Sequence, residues 1–89
     1  MKTRMLQAMP VLSEAIRLTR FDLGLNVTQF AARIGVTRGM VVEFEEGRTA
    51  PSTMALLRIG ELARGPEKAS MVEELRERFA ASSLVKVVA

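Results

Sequence analysis

Apolar residues recur at helical spacing along most of this chain. Phe30, Ala31 and Ile34 fall at i, i+1 and i+4, one apolar stripe on a helix. Asn26 stands ahead of that stripe as a good N-cap, because its side-chain carbonyl can accept an orphan amide of the first turn. Gly35 supplies the left-handed backbone that ends the helix, and Val36 follows as a hydrophobic plug. Thr37 is the next N-cap, Val41 and Phe44 continue as an i, i+3 pair, and Gly47 stops the second helix. Upstream, Pro10 marks the entry to a helix over about residues 11–23, since proline is tolerated in a first turn but not further in. Leu12, Ile16 and Thr19 or Leu23 would face the core.

Downstream, Pro51-Ser52 is a helix start signal with Ser52 as N-cap. Met54, Leu56, Leu57, Ile59, Leu62 and Ala63 place apolar groups on more than one side of that fourth helix, and Gly60 within it predicts close approach of a neighbour. Gly65-Pro66 breaks the pattern and opens a fifth helix over about residues 67–81, with a narrow stripe of Val72, Leu75 and Phe79. Ser82-Ser83 ends it. The tail, with Leu84, Val85 and Val87, is apolar and β-branched and reads as a short strand or an extended hydrophobic strap. The expected organisation is an N-terminal arm over residues 1–10, a helical domain over 11–65, and a dimerisation segment over 66–89. The arm is either irregular or a helical turn packing Met5, Leu6 and Met9; Lys2 and Arg4 would make it a basic arm.

Two short helices crossing steeply about a glycine turn, here over about residues 26–47, make a helix-turn-helix, whose second helix normally enters a DNA major groove. The segment from Ile16 to about Ala63 also resembles the Cro/C1-type, phage-repressor-like regulators often called the XRE family. The matching elements are Ile16, Arg17 and Arg20; Gly24 to Asn26; F-A-x-x-I-G-V-T at Phe30 to Thr37; and E-x-G-x-x-x-P-S at Glu45 to Ser52. The resemblance implies an all-α, five-helix domain that binds operator DNA as a homodimer.

With Val41 and Phe44 inward, the opposite face of the recognition helix shows Arg38, Gly39, Val42 and Glu43, the family positions that face the groove. Arg38 can bond guanine O6 and N7 or clamp a phosphate, Val42 can pack on a thymine methyl, and Glu43 can accept from cytosine N4. Gly39 would allow close approach of bases or backbone. The resemblance places Arg17, near the DNA-facing end, with the phosphate contacts. Beside it stand Asn26 at the N-terminus of the second helix, Thr37, Arg48 and Thr49. It also implies that Arg20 pairs with Glu45, tying the first helix to the end of the third. Val27 replaces the family's phosphate-contacting glutamine and Glu46 its asparagine, so a modest salt dependence is expected.

Composition narrows the alternatives. There is no cysteine and no histidine, which excludes a disulfide framework, thiolate and imidazole metal sites and histidine acid–base chemistry. No Gly-rich phosphate loop is present, and the carboxylates Glu43, Glu45 and Glu46 are better explained by capping and the Arg20 pair, so no enzyme, cofactor, metal or small-molecule ligand is expected. No apolar run spans a membrane, and a cytoplasmic protein is expected. A net charge of +3 aids DNA binding only if gathered on one face. A 48% hydrophobic content in so short a chain implies apolar surface buried by a partner subunit, through Val72, Leu75 and Phe79 with Leu84, Val85 and Val87. The rival reading is a protein-interaction module, an antitoxin or anti-activator, with Val27, Met40, Val42 and Glu46 meeting a protein partner.

Overall fold

The computed structural model describes residues 9–88, with side chains described through Ser82. Expectations for residues 1–8, the helical turn and the basic arm, fall outside that range. Five helices and no strand make up the described residues: α1 (Leu12–Asp22), α2 (Val27–Ile34), α3 (Arg38–Glu46), α4 (Thr53–Leu62) and α5 (Pro66–Val88).

Local chemistry fixes the boundaries of α2 to α4. Thr37 Oγ1 accepts from the Met40 amide and Ser52 Oγ from the Ala55 amide, both at 3.2 Å. At the other ends, Gly35 (φ 77°) and Gly47 (φ 75°) turn the chain in the left-handed region. There the amides of Val36 and Arg48 return to the carbonyls of Ala31 and Glu43, each at 3.0 Å, satisfying orphan acceptors of the last turn. At Gly35 a Cβ would also stand 2.5 Å from Arg58 Nη1, because that guanidinium donates to the Ile34 carbonyl (3.1 Å) and closes the end of α2.

The core is one cluster. Ala15 and Ile16 of α1 meet Phe30, Ala31 and Ile34 of α2, Val41 and Phe44 of α3, Leu56 and Ile59 of α4, Ala63, and Met71 of α5. Phe30 and Phe44 are the largest fully buried side chains, and truncating either to alanine costs about 3–5 kcal/mol. α5 packs along α1 and α4, while α2 and α3 pack on each other and α3 on α1. α5 passes close to Gly60, where a Cβ would still make an ordinary contact, 3.6 Å, with that of Met71.

One expectation about the C-terminal segment is corrected. α5 runs through Ser82-Ser83 to Val88, so residues 84–88 are helical rather than a strand or strap. Extending an established helix adds a hydrogen bond per residue, and a valine forfeits only a few tenths of a kcal/mol of propensity (roughly 0.5), so β-branching does not stop it. The side chains of Leu84, Val85 and Val87 lie outside the described ones. Of the stripe expected to meet a partner subunit, Val72 and Phe79 stay on the surface while Leu75 turns toward the core. Glu67, Ser70 and Met71 are buried and Leu75 packs at the edge of the core, whereas Val72 and Phe79 are 43% and 62% exposed. Polar anchors set this register: Ser70 Oγ donates to the Pro10 carbonyl, and Arg78 reaches Glu74 Oε2 (3.0 Å) and Thr53 Oγ1 (3.1 Å).

Candidate nucleic-acid interface

The start of α2 is closed by a reciprocal pair. The Gln29 amide donates to Asn26 Oδ1 at 2.8 Å, and the Asn26 amide donates to Gln29 Oε1 at 2.9 Å. This capping box satisfies one first-turn donor and pins the approach of the chain. The Val27 and Thr28 amides remain directed out of the helix end, where the dipole favours an anion. Val27, at the usual glutamine position, instead packs its side chain against the core.

α3 turns Val41, Phe44 and Glu45 inward. Arg38, Gly39 and Glu43 are exposed on its other side and Val42 is half-buried. Around Gly39 there is open space, with nothing within 4 Å of where a Cβ would be. Met40 is exposed beside them. Among the described residues Arg38 forms no ion pair, so its guanidinium is available to a ligand.

The loop after α3 folds back onto this face. Thr49 Oγ1 donates to Glu43 Oε1 at 2.7 Å, and Arg48 pairs with Glu46. Thr37 spends its oxygen on the cap of α3, leaving its proton free for a phosphate. Arg17 is held at the C-terminal end of α3: it donates to Glu14 Oε1 (2.8 Å) and to the Glu45 carbonyl (2.9 Å).

Behind the face, Arg20 and Glu45 form a two-pronged pair, and Arg20 Nη1 also donates to the Leu25 carbonyl at 3.2 Å. The hydrogen bond to Glu45 holds the Arg20 guanidinium above its ordinary pKa, against the opposing effect of burial. The pair ties α1 to the C-terminal end of α3, and the Leu25 contact adds the loop before α2.

Two contributors, Gln29 and Arg58, carry no role in the sequence reading. The Asn26-x-x-Gln29 spacing is itself a capping-box signature, so Gln29 was findable. Arg58 had no local signal, since its partner lies 24 residues away. Thr49 read as a phosphate donor, with nothing to show that it faces Glu43.

A capped helix end beside an exposed helix face, both braced from behind by one ion pair, defines a helix-turn-helix domain. A helix-turn-helix family model matches residues 15–63, more than half of the chain, and the chain belongs to this XRE or Cro/C1-type family. An uncharacterized HTH-type transcriptional regulator of Methanothermobacter thermautotrophicus is 43% identical over 44 residues, which cover 49% of this chain. The match spans 64% of that relative's length, under two thirds of it. No solved structure matches the chain. Among the described residues, no helix is long and apolar enough to cross a membrane.

Proposed function

We propose that this chain is a sequence-specific, DNA-binding transcriptional regulator that acts as a homodimer on a palindromic operator. The observation that carries the reading is the face of α3, where Arg38, Gly39 and Glu43 stand exposed on a helix anchored by Arg20 and Glu45. Each α3 would enter one major groove, with half-sites about one helical turn, ~34 Å, apart. Phosphate contacts would come from the α2 N-terminus, Thr37 and Arg48. Exposed Val72 and Phe79 on α5 support self-association, since burying them against a symmetry mate removes apolar surface from water. The family resemblance favours a mobile element, phage or restriction–modification-type locus.

The test is Arg38→Ala in a duplex-DNA binding assay. Loss of sequence-specific binding with an unchanged circular dichroism spectrum supports the reading; undiminished specific affinity refutes the placement of α3. A second reading, an antitoxin or anti-activator, draws on Met40 at 41% exposure on the recognition helix and on Glu46 near the expected phosphate path. Stable co-purification with a second protein, without DNA binding, would favour it.

A further inference from the structure

We infer that Thr49 is a positioning residue for base recognition. Its hydroxyl holds the Glu43 carboxylate on the groove face of α3 and so sets a preference for an amino-bearing base, cytosine or adenine, at one position of each half-site. The inference rests on the reading of α3 as the recognition helix.

The geometry is specific. Thr49 Oγ1 lies 2.7 Å from Glu43 Oε1, and a hydroxyl has one proton, so this bond commits it. The loop carrying Thr49 is itself anchored. The Gly47 amide donates to the Phe44 carbonyl at 3.2 Å, the Arg48 amide to that of Glu43 at 3.0 Å, and Pro51 is buried. A glutamate on an exposed helix face otherwise samples many rotamers, and ordering it on binding costs entropy. The bond from the loop pre-organises it.

The chemistry then selects the base. An ionised carboxylate only accepts hydrogen bonds, and Oε2 of Glu43 remains for a ligand. In the major groove cytosine N4 and adenine N6 donate, whereas guanine O6 and N7 and thymine O4 accept and would oppose a carboxylate. No cation neutralises Glu43 among the described residues, because Arg48 pairs with Glu46 and Arg17 with Glu14. The negative charge is kept for this discrimination.

The experiment is parallel selection from random duplex DNA with the wild-type protein, Thr49→Val and Thr49→Ser. The expected result is a wild-type preference for cytosine or adenine at one position per half-site, weakened about fivefold in Thr49→Val and restored in Thr49→Ser. Because Thr49 is exposed, the melting temperatures of all three should agree. An unchanged base preference in Thr49→Val overturns the inference, and so does a uniform loss of affinity for every sequence, which would make Thr49 a phosphate contact. Enrichment without any amino-bearing preference overturns it too. If the wild-type protein enriches no sequence, the DNA-reading proposal falls first and this inference with it.

Discussion

Arg20 meets Glu45 edge-on: Nε lies 2.7 Å from Oε2 and Nη2 lies 2.9 Å from Oε1, with the two side chains 14% and 8% exposed. The fork matches the carboxylate and fixes the direction of α3 relative to α1. Removing the arginine strands a largely buried carboxylate, whereas the net worth of the intact pair is small. Arg20→Ala should therefore lose about 3 kcal/mol, a fall in Tm on the order of 10 °C or more. Arg20→Lys should recover only part of this, because an ammonium cannot hold both oxygens and the Leu25 carbonyl in one plane. Thermal melts of the three proteins decide it, and an unchanged Tm in Arg20→Ala would mean that the pair orients nothing.

The helical glycines separate stability from recognition. A Cβ at Gly39 meets nothing within 4 Å, and one at Gly60 meets Met71 at ordinary contact distance. Gly39→Ala and Gly60→Ala should each stabilise the fold by up to about 1 kcal/mol through helix propensity. Only Gly39→Ala should weaken DNA binding, if bases or backbone come close to α3 there. Melting curves paired with a binding titration check both halves; equal DNA affinity in the two variants would remove Gly39 from the interface. Gly35→Ala should behave oppositely, since its φ and the Arg58 guanidinium both oppose a side chain.

Glu67, at the start of α5, gives stability a pH dependence. Its side chain is buried, Oε2 has no hydrogen-bond partner, and Asp22 at the end of α1 faces it. Burial foremost, and then Asp22, raise its pKa above the ordinary carboxylate range, while the backbone amides of Glu67 and Arg64 pull the other way. An acid with a raised folded-state pKa holds its proton more tightly when folded. Its contribution is therefore present below the ordinary carboxylate range and lost as pH rises through the raised value. Glu67→Gln should increase Tm near neutral pH and change it little near pH ~4. The same gain at both pH values would show that ionisation is not the cause.

The pairing of Arg48 with Glu46 sets a carboxylate beside a proposed phosphate contact. Glu46→Asn should free Arg48 and remove a repelling charge. Affinity for duplex DNA should rise, and the dependence of log affinity on log salt should steepen by about one phosphate contact, ~0.9. Anisotropy titrations at several salt concentrations measure it. A shallower slope would place Arg48 away from the backbone.

How far the sequence reached depends on the range of each interaction. Caps and stops act within a turn, so Asn26, Thr37, Ser52, Gly35 and Gly47 mark the ends of α2 and α3 and the start of α4 from local sequence alone. The inward faces of α2 and α3 followed from spacing, and with them the exposed positions Arg38, Gly39 and Glu43. What escaped was set between elements. The side of α5 that meets the core follows from Met71 seating beside Gly60 and from Ser70 reaching Pro10, contacts that no periodicity within α5 reveals. In the tail, the helix already running into residues 84–88 overrides their β-branched propensity. Within the interface, Thr49 and Arg17 looked like free polar groups, and only the fold shows that their donors turn toward Glu43 and toward Glu14 and Glu45.

The first measurement to make is selection from random duplex DNA with the purified protein at about 0.1 M salt, a range where phosphate contacts still contribute. An operator-reading homodimer should enrich an inverted repeat whose half-sites lie about one helical turn apart. A folded protein that enriches no sequence would overturn the proposal that α3 reads DNA and direct attention to a protein partner.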